Sequence, residues 1–134
     1  MSSTKGFTLT ELLIVVAIVA IIGAIGVPTY QGYIADSRNA VAKQSLQSIY
    51  LEQSNYFSDN SRYYNSGSGN RSYYINRDLF GGRKVVDESS SSGHYFYVNG
   101  SSTYFYAYAV CRTGGAQSFR IDKNGALTEM SICR

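Results

Sequence analysis

The most regular feature of the chain is an apolar run near its start. Between Phe7 and Val27 only Thr8, Thr10 and Glu11 carry polar side chains. A helix over these residues would be about 31 Å long at about 1.5 Å per residue, which matches a hydrocarbon core of about 30 Å. Because the preceding residues are polar and include a lysine, the pattern predicts a membrane-spanning helix whose leader stays in the cytoplasm.

The pattern becomes amphipathic after Pro28. Hydrophobic residues then recur near helical spacing at Tyr30, Ile34, Val41, Ile49 and Tyr56. This predicts one continuous helix from Phe7 to about Phe57, apolar over residues 7–28 and amphipathic over residues 29–57. We expect its second half to bury this stripe against the domain that follows. Because Pro28 lacks an amide donor and follows two glycines, a kink or a melted turn is expected near it.

Residues 58–134 are expected to form a globular domain that begins with a loop. The segment Ser58–Asp78 is rich in Asn, Ser, Gly and Tyr and shows no apolar periodicity, so it is predicted to be a connecting loop. The next segment, Leu79–Ser92, contains Val85 and Val86 and predicts a short strand followed by a flexible serine tract.

Strand signals concentrate in the last third of the chain. Two Asn-Gly dipeptides, which are typical of hairpin turns, separate four strand-favouring stretches in pairs. The stretches are Tyr95–Val98, Thr103–Cys111, Ser118–Asp122 and Ala126–Ser131, and the dipeptides are Asn99-Gly100 and Asn124-Gly125. We therefore predict an α+β fold in which a long N-terminal helix packs on an antiparallel sheet of three or four strands.

The second of these strands has two different faces. Phe105, Ala107, Ala109 and Cys111 alternate with a second set made of Tyr104, Tyr106, Tyr108 and Val110. Successive side chains of a strand point to opposite faces of its sheet. The smaller face, with Phe105, is expected to pack on the helix and the tyrosine face to point outward, the reverse assignment being the alternative.

Composition limits the size and the chemistry of the protein. The 134 residues allow one small domain, and the net charge of +3 comes from dispersed basic and acidic residues. Two cysteines in a chain with an export-like start, Cys111 and Cys133, predict a disulfide that closes a loop worth about 3 kcal/mol. With His94 as the one histidine, a zinc site is not expected. We find no phosphate loop, nucleophile elbow or metal-ligand cluster, so no catalytic activity, cofactor or metal is expected.

Glu11 is the one charged residue inside the apolar run. A carboxylate in a hydrocarbon layer costs on the order of 3 kcal/mol, so such a residue is functional by default. One alternative is an ordinary secretory signal peptide cleaved before Val27, which gives Glu11 no role. A second is that Thr8-Leu9-Thr10-Glu11 forms a capping box, in which Glu11 satisfies backbone donors at the helix start.

The stretch KGFTLTELLIVVAIVAIIGAIGVPTYQGY resembles the class III signal and N-terminal helix of type IV pilins and related pseudopilins. The resemblance rests on Gly6, Phe7, Thr8, Leu9, Glu11, Leu12, Val16, Ala17, Pro28, Tyr30 and Tyr33. It implies that residues 1–6 are a leader, that a prepilin peptidase cuts after Gly6 and methylates the new amine of Phe7, and that the apolar helix stays on the protein. Glu11 would then face the Phe7 amine of a neighbouring subunit, the Pro28 region would loosen on assembly, and Cys111 and Cys133 would bound a C-terminal disulfide region.

The function implied is that of a structural subunit of a type IV pilus, first held in the bacterial inner membrane and then polymerised into an extracellular filament. Its implied partners are other pilin subunits, the prepilin peptidase and the inner-membrane assembly machinery. The filament would serve adhesion, twitching motility or DNA uptake. The alternatives are a pseudopilin of a type II secretion system and a minor pilin that binds DNA or a host glycan.

A candidate ligand surface follows from the tyrosine content. The chain has thirteen tyrosines and no tryptophan, and tyrosine rings stack on bases or sugars as well as filling interfaces. Basic and aromatic residues lie close together in the sequence at Arg71, Tyr73, Tyr74, Arg77, Arg83 and Lys84. The favoured interpretation is that the tyrosines make subunit contacts and the basic residues keep the surface hydrated, the alternative being a surface that contacts DNA or a host surface.

Overall fold

The computed structural model describes residues 6–89 and 92–133, without the side chains of Pro28 and Thr29. Its elements are a helix α1, a short helix α2, a π-helical turn and four strands β1 to β4. They span, in that order, Leu9–Asn60, Ser72–Tyr74, Ile75–Leu79, His94–Gly100, Phe105–Cys111, Gln117–Asp122 and Leu127–Ile132. This confirms the predicted α+β fold.

The chain divides into two compact units, Met1–Ile34 and Ala35–Arg134, and α1 contributes residues to both. In the first unit the large hydrophobic side chains from Leu12 to Val27 are 50–68% exposed. Within the described residues, α1 is the one helix long and apolar enough to cross a membrane, with a mean hydropathy of 2.7 over its best window. Its apolar surface is therefore without a cover in the single subunit.

The backbone of α1 is helical through Gly23, Gly26 and Pro28. The predicted melted turn is therefore not formed in this subunit, and loosening on assembly stays a prediction. The side chain of Pro28 lies outside the part of the chain that the structure describes. The helix begins two residues after the predicted Phe7 and ends three residues after the predicted Phe57.

The four strands form one antiparallel sheet in the order β1-β2-β3-β4. In β2, Phe105, Ala107, Ala109 and Cys111 are buried, while the intervening Tyr106, Tyr108 and Val110 are half-buried and Tyr104, just before the strand, is exposed. The smaller face belongs to the core cluster that also contains Ala42, Leu46 and Ile49 of α1. The predicted assignment of the two faces is thus confirmed.

The buried stripe of α1 differs from the predicted one. The side chains that α1 buries in the second unit are Ala42, Ser45, Leu46, Ile49 and Gln53, whereas Val41 is 55% exposed. Tyr30 is 65% exposed. Small and amide side chains, which a hydrophobicity pattern does not count as core, therefore occupy part of the buried face of the helix. Of the predicted set only Ile49 is fully buried, and Tyr56 packs at the edge of the core.

The segment after α1 is more ordered than a loop. Ser72–Leu79 is helical, and Val85 and Val86 form no strand. Instead the Asn76 side chain replaces a partner strand: its Oδ1 accepts from the Val85 and Val86 amides at 3.0 Å each, and its Nδ2 donates to the Val86 carbonyl at 2.7 Å. The predicted strand is wrong because one buried amide group satisfies this backbone.

One predicted hairpin turn is confirmed and the other is displaced. At Asn124-Gly125, Gly125 has φ of 78°, and Asp122 Oδ1 accepts from the amides of Asn124 and Ala126 at 2.9 Å each. Asn99 and Gly100, by contrast, lie inside β1, and the turn follows at residues 101–104. Gly100 is required for close approach, because a Cβ there would overlap the carbonyl of Tyr64.

The β1 edge of the sheet is covered by the segment after α1. The amides of Ser66 and Arg71 donate to the carbonyls of Val98 and Phe96 at 3.0 and 2.9 Å. On the other side of this segment, the buried Gln53 side chain contacts the Tyr64 backbone twice, accepting from its amide at 2.8 Å and donating to its carbonyl at 2.9 Å. Gln53 therefore fastens the covering segment to α1.

His94 is buried where β1 begins. Its Nε2 lies 2.7 Å from the Gln117 carbonyl oxygen, so the neutral ring donates from this nitrogen. Burial lowers the pKa of His94, the nearby Arg38 charge lowers it further, and the Gln117 carbonyl opposes the shift.

Replacing Gln53 with Leu should destabilise the globular unit by about 2 to 4 kcal/mol, because two buried backbone groups of Tyr64 lose their partners. Urea denaturation of the full chain in neutral detergent measures the effect. Gln47→Leu, on an exposed position of the same helix, is the matched control and should stay within about 0.5 kcal/mol. Equal stability of the two variants would contradict the role of Gln53.

Acidification from above pH 7 to below pH 6 should destabilise the protein. The unfolded chain binds a proton on its histidine near pH 6.5, whereas the folded chain, with its lowered His94 pKa, binds it only at lower pH. The contribution of the neutral His94 ring to stability is therefore fully present above the histidine pKa of the unfolded chain, and it decreases as the pH falls towards the His94 pKa of the folded chain. Urea midpoints across this range measure it. Since His94 is the one histidine, His94→Gln should flatten the profile, and an unchanged profile would refute the assignment.

Candidate functional site

The start of α1 forms the capping box that the sequence offered as an alternative for Glu11. The Thr8 amide donates to Glu11 Oε2 at 2.9 Å and the Thr8 hydroxyl to the same oxygen at 2.8 Å, while the Glu11 amide donates to Thr8 Oγ1 at 3.3 Å. Both residues are exposed. In the single subunit Glu11 therefore stabilises the first turn of the helix.

The capping box leaves part of the Glu11 carboxylate free. Both bonds from Thr8 reach Oε2, and Oε1 has no hydrogen-bond partner among the described residues. Phe7, four residues before Glu11, is 82% exposed, and its nitrogen is a peptide amide as long as Gly6 is attached. The site can therefore cap its helix and still accept from a donor on another molecule.

Cys111 and Cys133 form the predicted disulfide, with Cα atoms 6.0 Å apart. The backbone around Cys133 is also fixed: its amide donates to the Ala116 carbonyl at 3.0 Å, and its carbonyl accepts from the Gly115 amide at 3.2 Å. Cys111 is the last residue of β2, and Cys133 directly follows β4. The bridge thus ties the end of the edge strand β4 to an interior strand.

The structure brings together four of the six residues of the candidate ligand surface. The rings of Tyr73 and Tyr74 meet edge to face with centroids 5.5 Å apart. The Arg77 guanidinium lies 5.0 Å from the Tyr74 centroid and 5.8 Å from that of Tyr73, and the Arg71 guanidinium lies 5.4 Å from Tyr74. These four residues are called the Arg71–Arg77 surface below.

Arg83 and Lys84 do not join this cluster. The Nε of Arg83 donates to the Phe80 carbonyl at 3.3 Å, and Lys84 lines a cleft with Val85 and Asp87. No hydrogen bond, ion pair or ring contact connects either of them to the tyrosine pair within the described residues.

One of the two positive charges of the Arg71–Arg77 surface is compensated. Arg77 Nη2 donates to Asp78 Oδ2 at 2.9 Å, and the Arg77 guanidinium holds the pKa of Asp78 below its usual value. Tyr64 donates to the same carboxylate oxygen at 3.2 Å. Because Arg77 is paired, this surface is less attractive for an anion than its sequence indicates.

Sequence reasoning missed two other arginines that lie on tyrosines. The Arg112 guanidinium is 5.3 Å from the Tyr95 ring centroid and that of Arg120 is 4.9 Å from Tyr106. Each arginine is distant in sequence from its tyrosine, and the two meet only because their strands are neighbours in the sheet. The alternation of side chains along each strand could have indicated that they share the outer face. Among the described residues, no group of three or more His, Cys, Asp and Glu side chains could hold a metal ion.

Comparison with known families matches residues 1–27 to the prokaryotic N-terminal methylation motif. The chain is similar to the type IV major pilin protein PilA of Myxococcus xanthus, with 44% identity over 59 residues, which cover 44% of this chain and 27% of the relative. It is also similar to the type IV major fimbrial protein FimA of Dichelobacter nodosus, with 62% identity over 37 residues, 28% of this chain and 24% of the relative. These relatives are named as a pilin and a fimbrial protein and not as enzymes, in line with what the sequence leads us to expect of this chain.

A further similarity is to the prepilin peptidase-dependent protein D of Escherichia coli K12, at 46% identity over 49 residues, 37% of this chain and 32% of the relative. The matched segments thus span only about a quarter to a third of the length of these relatives. The similarity includes the residues that the resemblance rests on, Gly6, Phe7 and Glu11, within the matched motif.

Reduction of the disulfide should lower the free energy of unfolding by about 3 kcal/mol, because the unfolded chain regains the conformational entropy that the bridge removes from it. Urea denaturation of the full chain in neutral detergent, with and without reductant, measures the change. The double variant Cys111→Ser/Cys133→Ser should match the reduced protein and be insensitive to reductant. A reduced protein as stable as the oxidised one would show that the bridge constrains nothing.

Proposed function

Because the N-terminal segment of this chain is similar to that of type IV pilins, we propose that the protein is a structural subunit of a type IV pilus, polymerised through α1 into an extracellular filament. The observation that carries the proposal is the combination of an uncovered apolar helix with a carboxylate in its first turn. Apolar patches of this size on a folded subunit mark a surface that lipid or protein will cover. Lipid covers it before assembly, and other subunits cover it afterwards.

Processing at the start of the chain is the first step of this proposal. A prepilin peptidase would cut between Gly6 and Phe7 and methylate the new amine of Phe7. In support, Gly6 and Phe7 precede the helix and are exposed, and apart from its chain neighbours no described residue has an atom within 4 Å of the position that a Gly6 Cβ would take. The scissile bond is therefore accessible, while residues 1–5 of the leader lie outside the described part of the chain.

The second step is a charge pair between subunits. Cleavage creates a positive amine at Phe7, one helical turn before Glu11. When helices pack side by side, the free Oε1 of Glu11 would accept from the Phe7 amine of a neighbour. Removing one partner of a buried ion pair costs about 3 to 5 kcal/mol, because the other charge is left without compensation. This pair would fix the axial offset between neighbouring subunits.

The place of assembly follows from the same chemistry. The precursor would be held in the bacterial inner membrane, where the peptidase and the assembly machinery act on it, and the filament would extend outside the cell. A disulfide near the end of the chain suits this location, because such bonds persist in oxidising compartments. We favour a pilus over a type II secretion pseudopilus because a C-terminal cysteine pair suits a pilus subunit, and adhesion, twitching motility or DNA uptake would be the use of the filament.

Glu11→Gln should abolish most filament assembly while leaving the subunit folded and processed. Gln still caps the helix but cannot compensate the Phe7 amine. Filaments sheared from cells are quantified by immunoblot against total cellular subunit, and intact mass confirms cleavage after Gly6. Asp36→Asn removes the same charge from an exposed position of α1 and is the matched control, with assembly unchanged. Normal filament yield from the Glu11→Gln strain would refute the pairing.

A further inference from the structure

The outer face of the sheet carries a strip of aromatic and guanidinium groups. Its members are Tyr95 and Tyr97 of β1, Tyr106 and Tyr108 of β2, Tyr104 just before β2, Arg112 just after it, and Arg120 of β3. All of them are half-buried or exposed, and they alternate with the core residues of the same strands. We call this set the outer-face strip.

Ring contacts join the strip across three strands. Tyr97 and Tyr108 are register partners in β1 and β2 and stack in parallel, with centroids 4.5 Å apart and planes 11° from each other. Tyr108 is in turn the register partner of Arg120, whose guanidinium lies 4.9 Å from the Tyr106 ring. The rings and guanidinium planes are therefore held in place by one another before any ligand arrives.

The polar groups of the strip have few partners of their own. Within the described residues, none of its tyrosine hydroxyls makes a hydrogen bond, and neither Arg112 nor Arg120 pairs with a carboxylate. The Nε of Arg112 is buried without a hydrogen-bond partner. The large majority of buried hydrogen-bond donors in proteins have a partner, so a buried donor without one requires an explanation.

Among the described residues, no acidic side chain forms an ion pair with Arg112 or Arg120. Asp122 is the one carboxylate on an outward position of β1 to β3, where it is the register partner of Tyr106, and its Oδ1 accepts from two turn amides. Glu129 of β4 pairs instead with Lys43 of α1 at 3.0 Å. The strip therefore carries two arginines without an ion-pair partner and one carboxylate, whereas Arg77 of the Arg71–Arg77 surface is paired with Asp78.

We propose that the outer-face strip binds single-stranded nucleic acid. The partly exposed tyrosine rings of this antiparallel sheet offer stacking surfaces to unpaired bases, and arginines without an ion-pair partner attract the phosphates between them. Arg112 lies four residues beyond Tyr108, the partner of Arg120, so the backbone positions of the two arginines are offset by about 13 Å along the strand at about 3.3 Å per residue. A polyanion can contact both arginines and is attracted by their charges, whereas a neutral sugar gains no such electrostatic attraction. This site is independent of filament assembly through α1.

Fluorescence anisotropy with the full chain in neutral detergent tests the proposal. The probe is a fluorescein-labelled oligothymidylate of about 20 nucleotides, longer than the usual single-strand site. A duplex of the same length and dextran sulfate serve as competitors. We expect salt-sensitive binding of the single strand and weaker competition by both, because stacking needs unpaired bases. No binding at low salt, or competition by duplex or dextran sulfate as strong as by the single strand, would overturn the proposal.

Variants locate the site on the chain. Tyr97→Ser and Arg120→Gln should each weaken binding about fivefold or more, the loss typical of one stacking contact, while Tyr97→Phe keeps the ring and should bind normally. Arg62→Gln removes the same charge as Arg120→Gln from an exposed position outside the strip and should change affinity less than about twofold. If Arg77→Gln weakened binding and Arg120→Gln did not, the site would lie on the Arg71–Arg77 surface and the proposal would be wrong.

Folding is checked in the same preparations. Circular dichroism and thermal unfolding should be unchanged in Arg120→Gln, whose side chain makes no hydrogen bond that the core needs. If the Tyr97→Ser variant does not fold, the comparison of the affinities of Arg120→Gln and Arg62→Gln still tests whether the outer-face strip binds the oligonucleotide. Filament yield of the Arg120→Gln strain should equal that of the wild type, so loss of binding and loss of assembly are measured separately.

Discussion

The apolar surface of the first half of α1 is the constraint on which the biology of this chain depends. Large side chains from Leu12 to Val27 have more than half of their surface exposed, and water cannot cover so much hydrocarbon without a large free-energy cost. The segment must therefore lie in lipid or against other helices. Glu11 makes these two environments unequal, because its carboxylate is unfavourable in hydrocarbon unless a positive group compensates it.

In the globular unit, irregular backbone lies next to a small core, and its buried polar groups need hydrogen-bond partners. Gln53 and Asn76 are fully buried amides that pair with backbone groups of Tyr64, Val85 and Val86. Each side chain supplies a donor and an acceptor, so it takes the part that a neighbouring strand would take in a ladder. The segment between α1 and β1 can thus cover one sheet edge without being regular.

The sheet separates structural from functional chemistry by its two faces. Phe105, Ala107 and Ala109 point into the core that also contains Leu46 and Ile49 of α1. The tyrosines that alternate with them point outward, where Tyr108 packs on Tyr97 of β1. The Cys111–Cys133 bridge then holds the last strand to this sheet, so that the outer face keeps its arrangement of rings and charges.

The sequence by itself determined several features whose signals lie within a few residues or within a regular alternation. It predicted the apolar helix, the faces of β2 and the turn at Asn124-Gly125, its two cysteines predicted the disulfide, and it offered a helix cap as an alternative role for Glu11. The same kinds of signal gave the wrong buried stripe for α1 and the wrong position for the first hairpin turn, because packing against distant residues decided both. Only the tertiary structure decided that Gly100 is a point of close approach, that Asn76 replaces a strand at Val86, and that Arg120 lies on the tyrosine face while Arg77 is neutralised. These outcomes depend on which distant residues meet, and a linear pattern of polar and apolar positions does not contain that information.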